Sequence, residues 1–320
     1  MEDTMHNKAF LIDAWQFHEG KAQRYSAEHA PAADVQIWYH CDRNDKGLTA
    51  WLQSEGIDHG IISTLLAEDT RPRFQQFDDG ESMLIVRGVN LNEGSEPDDM
   101  LSIRFLFVGN RLYSMRRVPS KAVTGVRELL ATGQGPKSLE ELITTIIEQL
   151  HMRIENFLDP IEDFIDELDS DVVNSKRIQE LNDVKRRLLK LNRFLKPQSY
   201  ALDALHKANL SRFKKFKVRL DHQRDTLLRI LEGIEFDLAQ INLVSESMQQ
   251  ITADRMNRNT YMLSVIAGVF LPLGFLTGLF GINIGGMPGV ENGDAFTIFC
   301  IAMGIISAGV LLVFRRLKFV

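Results

Sequence analysis

The sequence predicts an α+β membrane protein: an N-terminal α/β domain, a long stalk helix and a C-terminal hairpin of two transmembrane helices. Three observations carry this. Residues 261–280 and 295–314 are apolar runs without a charged residue, each as long as the ~20 residues a helix needs to cross a bilayer. Ahead of residue 132, short strand-like stretches are divided by turn signals. Between them, a stripe of apolar residues at heptad-like spacing runs unbroken toward the first apolar run.

Residues 1–132 read as mixed α/β. The strand-like stretches are AFLIDAWQF, DVQIWYHC, RFQQF, SMLIVRGVN, LSIRFLFV and RLYSMRRV. Signals such as DDG, NEGSEPDD and GN separate them, and their pairing at hairpin spacing predicts a mostly antiparallel or mixed sheet. GLTAWLQSEG and GIISTLLAE carry short helical patterns after the second strand. There is no GxxxxGK[ST] loop and no strand-linked GxGxxG, so an ATP- or dinucleotide-driven machine is not indicated.

The linker ATGQGPKS leads into residues 133–210, read as a helical pair with an acidic tip. Leu142, Ile146, Leu150 and Ile154 recur at helical spacing. A second helix is expected over 175–195, stopping near Pro197. Residues 159–171 hold seven acids and no base. They read as a solvated face, as a divalent-cation contact, or as counter-charge for SRFKKFKVRL, residues 211–220, which carry five bases. That basic run could also be a nucleic-acid patch or a membrane-facing side; pairing with the acids is the expectation.

Residues 211–260 are expected to form the stalk helix. Leu227, Leu231, Ile234, Leu238, Ile241, Val244, Met248 and Ile251 step by three and four. One helix over 221–280 would be about 90 Å long at ~1.5 Å per residue. Most helical stability comes from packing, so this helix needs partners from its own domain or from other copies.

Residues 261–281 form the first transmembrane helix, 282–294 an external loop, 295–314 the second helix and 315–320 a basic tail. Arg255 and Arg258 precede the first span, and Arg315, Arg316 and Lys318 follow the second. The loop holds only Glu291 and Asp294 as charges, so both termini are expected in the cytoplasm. The N-terminus shows no signal-peptide pattern, which leaves the first domain in the cytosol. A net charge of −6 excludes a generally basic nucleic-acid binder. Cys41 and Cys300, the only cysteines, fall in different compartments, so no structural disulfide is expected. His40 and Cys41 are neighbours on a strand and point to opposite faces; both read as structural.

One face of the first span is small or weakly polar: Met256, Asn257, Thr260, Ser264, Ala267, Leu271, Gly274 and Gly278 lie three or four apart. Such a face packs helices closely or lines a narrow path for water. Pro272 frees the carbonyl of Gly268, which water or an ion could meet. Gly281 permits a change of direction at the helix end, and Asn283 offers an amide oxygen just beyond. Several copies in a ring could receive the water shell of a hydrated divalent cation, which such ions surrender reluctantly. A single copy reads only as a turn.

The arrangement resembles the CorA superfamily of divalent-metal transporters, two-transmembrane proteins with a Gly-x-Asn signature. The likeness covers the α/β domain, the helical pair, the stalk, MNRNTYMLSVIAGVFLPLGFLTGLFGIN and the basic tail. Gly281-Ile282-Asn283 followed by GGMPG is similar to the ZntB branch, the zinc transporters; the magnesium members have Met at the middle position. The resemblance implies a funnel-shaped homopentamer in the inner (plasma) membrane, with the first spans around a central pore. It further implies a selectivity ring of Asn283 that meets the ion through its hydration shell. Leu271 and Met256 become hydrophobic constrictions, and Glu246 a funnel-lining acid.

Zn²⁺ uptake is the expected activity, with Mg²⁺ and Co²⁺ as alternative cargo, and no cofactor or nucleic-acid partner. Glu291 and Asp294 would raise the local cation concentration. An inside-negative membrane favours divalent entry by roughly 4.6 kcal/mol per 100 mV. Neither span carries a titratable proton relay; coupling through cytosolic or loop groups stays open. A Mg²⁺/Co²⁺ channel of the CorA type is the nearest rival, and a membrane-tethered scaffold or sensor the next. An enzyme is third: no catalytic set assembles from Asp13, His18, His40 or His59.

Overall fold

Alternating strands and short turns build the sheet. The computed structural model describes residues 9–26, 35–78, 80–167, 175–281, 289 and 291–316. The strands are β1 (Leu11–His18), β2 (Lys21–Arg24), β3 (Gln36–Asp42), β4 (Arg73–Gln76), β5 (Ser82–Gly88), β6 (Leu101–Val108) and β7 (Arg111–Arg116). They form one mixed sheet in the order β2-β1-β3-β7-β6-β5-β4. Only β3 and β7 pair in parallel; the other neighbours are antiparallel. Strand β2 lies outside the expected set. It follows a two-residue turn in which Glu19 and Gly20 have φ of 48° and 72°, the left-handed pair that a tight hairpin requires.

Register decides which side chains share a face. Cys41 stands opposite Met115, Met115 opposite Arg104, and Arg104 opposite Ile85. Helices α1 (Gly47–Ser54) and α2 (His59–Leu66) cover this side. Leu48, Trp51, Leu52, Ile61, Ile62 and Leu65 bury against Ile37, Tyr39, Met83, Leu106 and Tyr113. Stacked and edge-on rings of Phe10, Tyr39, Trp51 and Tyr113 fill the centre at centroid distances of 5.1–5.6 Å. Tyr113 donates to Glu55 at 3.2 Å, and Arg111 pairs with the same carboxylate.

Helix α2 starts because Asp58 accepts from the N–H of Gly60 and Ile61 at 2.7 and 3.3 Å, which satisfies two of its free donors. Its other end is held differently. Arg73, Arg104, Arg87 and Arg43 donate to the carbonyls of Thr64, Leu65, Glu68, Thr70 and Ala67. Cations suit a helix carboxyl end, where carbonyls lack partners. Burial and the neighbouring guanidiniums of Arg43, Arg87 and Arg73 push Arg104 down to about 9.

The opposite face of the sheet receives α3 (Lys121–Ala131) and α4 (Leu139–Asp166), while α5 (Ser175–Lys207) runs along β4 and β5. Helix α3, not expected as an element, buries Ala122, Val123, Val126 and Leu130. Ser138 caps α4 by accepting from Glu141 N at 3.2 Å. The expected stop near Pro197 is corrected: α5 passes through it to Lys207. Proline removes one N–H and crowds one carbonyl, but the next turn is packed. Gln198 is fully buried with Leu202 and Leu205, and its Oε1 accepts from Arg87 N at 2.6 Å.

A buried polar chain ties these helices to α6 (Lys217–Phe280), which follows a 3-10 turn at Ser211–Phe216. His151 of α4 bonds Gln223 of α6 through Nδ1 at 2.9 Å, and Gln198 of α5 approaches its Nε2 at 3.5 Å. Burial holds the His151 imidazole neutral, down to about 4. The heptad stripe of α6 is its packed face: Leu227, Leu231, Ile234, Ile241 and Met248 are buried.

The chain divides into two units, Met1–Leu243 and Val244–Val320. The second contains the rest of α6 and α7 (Ala295–Arg316). Both helices have mean hydropathy above 2 over a membrane-length window, 2.1 and 2.5, and none of either window is buried.

Candidate functional site

The candidate site is the open face of α6 in the second unit. Met256, Asn257, Thr260, Ser264, Ala267, Leu271, Gly274 and Gly278 are all exposed. Its bulky members stand bare, Met256 at 66% and Leu271 at 78%. Ser264 donates to Thr260 O at 2.9 Å, and Thr277 to Leu273 O and Gly274 O at 2.9 and 3.0 Å. These hydroxyls therefore use their hydrogens on their own helix, a habit of Ser and Thr in helices.

The glycines divide into two kinds. A Cβ at Gly268 would strike the Phe314 ring of α7, so this glycine lets the two spans approach. A Cβ at Gly274 or Gly278 would meet nothing within 4 Å. Packing inside the hairpin does not explain those two. Nearer the loop, Phe280 and Phe299 tilt together at 5.3 Å. There α6 and α7 part around an apolar cavity of about 680 Å³ lined by Leu276, Phe280, Phe296, Phe299 and Met303.

Helix α6 passes through Pro272 and ends at Phe280. Gly281 N donates to Thr277 O at 2.9 Å, and a Cβ at Gly281 would lie 2.8 Å from that oxygen. Only glycine fits so close an approach. Ile282 and Asn283 lie outside the described residues. Glu291 and Asp294 are exposed; Asp294 N donates to Asn292 Oδ1 at 3.1 Å and its carbonyl accepts from Ile298 N at 3.0 Å, which starts α7. Glu246 is exposed on α6.

The expected pairing of the basic run with residues 159–171 is corrected. Arg219 grips Glu148 with Nε and Nη2 at 2.9 and 2.6 Å and reaches Glu141 at 3.5 Å. Arg212 lies over the Phe107 ring at 4.4 Å and donates to Gly109 O at 2.8 Å. The reason is register: α4 and α6 run side by side from their starts, so the basic turn meets the first turns of α4. Glu162, on the acidic segment, is raised by burial and by Asp159, Asp166 and Asp163. It shares this environment with Asp237 of α6, which is 5% exposed and pushed up to about 6 by burial, Glu162 and Asp166. Asp237 carried no sequence signal, since it falls one position ahead of a heptad residue.

Asp13, His40 and Ser114 form a row across β1, β3 and β7. His40 Nδ1 meets Ser114 Oγ at 2.8 Å, and Trp38 Nε1 donates to the same oxygen at 2.7 Å. Arg127 pairs with Asp13 at 2.8 Å. His40 and Ser114 are each 1% exposed, and burial with Arg116 and Arg127 lowers His40 to about 3. The row fixes the sheet's interior and offers no approach to a substrate. Cys41 points to the other face, into the α1–α2 core. Among the described residues no three His, Cys, Asp or Glu side chains converge to hold a metal ion.

Comparison with known proteins follows this geometry. The family described as CorA-like Mg²⁺ transporter protein matches residues 34–316. The zinc transport protein ZntB of Vibrio parahaemolyticus is 39% identical over 314 residues, 97% of each chain. The divalent cation transporter CmaX of Pseudomonas aeruginosa is 34% identical over 291 residues, 89% of this chain and 88% of that one. A solved full-length CmaX superposes with a TM-score of 0.84 at 31% identity, over 98% of this chain and all of the other. The complete CorA magnesium transporter of Methanocaldococcus jannaschii gives a TM-score of 0.78 at 16% identity, over 95% and 98% of the two chains, a likeness of fold.

Proposed function

The chain belongs to the CorA-like Mg²⁺ transporter protein family, and on that premise we propose that it conducts divalent cations across a membrane, with Zn²⁺ as cargo and uptake as direction. The observation that carries this reading is the open α6 face. A Cβ at Gly274 or Gly278 would meet nothing within 4 Å, and Leu271 and Met256 stand bare. An apolar side chain this exposed calls for lipid or another copy, but lipid gives no reason for the glycines.

Five copies around one axis would turn the face into a pore wall. The Asn283 amides would then form a ring at the external mouth and receive the ion with its water shell. Leu271 and Met256 would be the narrow apolar points, where a pore closes by dewetting. Glu291 and Asp294 would concentrate cations outside, and Glu246 would line the inner path. Both termini would lie in the cytoplasm, beside Arg255, Arg258, Arg315 and Arg316. Zinc is favoured by the 39% identity to a zinc transport protein.

A Mg²⁺/Co²⁺ channel is the second reading. A neutral amide is a hard oxygen donor, and zinc more often takes nitrogen and sulfur. Flux of ⁶⁵Zn²⁺ into proteoliposomes, beside Asn283→Ala and with Mg²⁺ competition and an imposed pH gradient, tests both. Zinc entry lost in the variant supports the ring. Entry abolished by equimolar Mg²⁺ moves the assignment to the second reading, and no flux in correctly oriented protein removes the transport reading.

A further inference from the structure

The segment 67–70, which follows α2, is held to the sheet from two sides by arginines. Arg43, just past the end of β3, donates to Ala67 O at 3.0 Å, and Arg87 of β5 donates to Thr70 O at 2.9 Å. Strand β6 lies between β3 and β5 in the sheet, and its Arg104 donates to Leu65 O and Glu68 O. Ser102 precedes Arg104 by two residues and stands opposite Arg87. It therefore shares their face of the sheet and lies beneath the same segment.

Thr70 Oγ1, Ser102 Oγ and Arg87 Nε are buried with no hydrogen-bond partner among the described residues. Thr70 is 6% exposed. Arg87 joins the three, since it holds the Thr70 backbone and pairs in register with Ser102. Each of the three atoms carries a hydrogen to donate.

The surrounding charge is positive. Arg43, Arg87 and Arg73 act on Arg104, Arg193 and Arg43 on Arg87, and Arg117 on Arg43. Two carboxylates oppose them, Asp69 at Arg87 and Glu68 at Arg43, and both are exposed. Arg117 and Arg193 are exposed as well, so the cluster borders solvent.

Buried polar groups in folded proteins nearly always have partners. A water molecule could accept from the hydroxyls but would leave the repulsion among the guanidiniums untouched. An oxyanion accepts from all three donors and offsets that repulsion. Guanidinium is the side-chain group whose planar fork matches phosphate.

We propose that the sheet face beneath residues 67–70 binds an oxyanion of the phosphate class, with Arg87, Ser102 and Thr70 donating to its oxygens and Arg43 supplying charge from the other side. The site shares no residue with the open α6 face and does not rest on the transport reading. Free phosphate and a phosphate monoester offer the same group, and the test separates them.

Equilibrium dialysis of ³²P-labelled phosphate and, separately, ³²P-labelled AMP against the purified full chain is the measurement. One label per chain is expected; tighter binding of AMP assigns the site to a monoester, tighter binding of phosphate to the free ion. Thr70→Val and Ser102→Ala should each weaken binding about tenfold or more, the worth of a hydrogen bond to a charged group. Without phosphate, Thr70→Val should unfold no lower than its parent, because it removes a buried hydroxyl that has no partner. Unchanged affinity in both folded variants would overturn the site, as would a folded parent that binds neither label. Displacement of the label by chloride as readily as by unlabelled phosphate would overturn the oxyanion assignment.

Discussion

Gly268 of α6 lies against the ring of Phe314 of α7: a Cβ at position 268 would stand 2.5 Å from Phe314 Cζ. Side-chain volume here must push the two spans apart or turn the ring. Gly268→Val is expected to weaken the hairpin by about 1–3 kcal/mol, the usual cost of overpacking. Unfolding in graded detergent mixtures measures it. A partner variant, Phe314→Ala, should recover most of the loss; a Gly268→Val protein as stable as its parent would show that the contact is loose.

Gly274 and Gly278 give the opposite expectation. Gly278→Leu should leave the stability of the isolated hairpin within about 1 kcal/mol, the helix-propensity gain over glycine included. The same change should cut ⁶⁵Zn²⁺ flux severely if the proposed pentamer forms, because its five leucines would crowd one axis. Unchanged flux with Leu at 278 would take this face out of the pore wall.

In the proposed orientation Glu291 and Asp294 lie outside and act on cations at a distance. Neutralising both, Glu291→Gln with Asp294→Asn, should lower zinc uptake at low ionic strength and matter little at high salt. The Debye length shrinks to about 3 Å at 1 M. Flux measured across a salt series separates this from a fold defect, which would persist at every salt concentration.

Arg104 is 2% exposed beneath the carboxyl end of α2. Arg104→Met keeps the aliphatic bulk but removes the donors to Leu65 O and Glu68 O. It is expected to cost about 2–4 kcal/mol, since buried carbonyls lose their partners. Denaturant unfolding reads the change, and an unaffected midpoint would mean that water replaces the guanidinium.

The His151 imidazole is held down to about 4 from an ordinary 6.5. Its folded value lies below its unfolded one, so the unfolded chain binds more protons between those limits. Stability from this group is full above pH 6.5 and is lost as pH falls toward 4. His40, lowered further, acts with the same sign. Thermal unfolding across that range should fall with pH, and His151→Gln, which keeps a neutral donor and acceptor, should flatten the slope. An equal slope in that variant would assign the effect to other groups.

The transmembrane runs were legible because an uncharged stretch of membrane length has few other uses, and the heptad stripe of α6 because its period is long and regular. Strand β2 was not legible: KAQR is short and polar, and only the Glu19-Gly20 turn marks it. Helix α3 was hidden by a mean composition near neutral. The run through Pro197 could not be read, since the fate of a proline depends on whether the following turn is packed. Of the candidate site, the face was readable from spacing alone. What spacing could not show was that Gly268 faces a ring while Gly274 and Gly278 face nothing. Asp237 is the clearest miss, because its surroundings come from Glu162 and Asp166 of α4, distant in the chain.

The β3–β7 pairing also bears on how the chain is made. Its two strands are joined only when Arg111–Arg116 has left the ribosome, so the sheet exists first as two separate hairpin systems, β1–β3 and β4–β6. Parallel pairing across so long a loop is slow to form. Yet α4 to α7 are all synthesised after β7, and domains fold as units in the order of synthesis. The sheet therefore has the whole time of translating α4 to α7 in which to close. Every strand of the sheet has been made before the first membrane-length apolar run, 261–280, is synthesised.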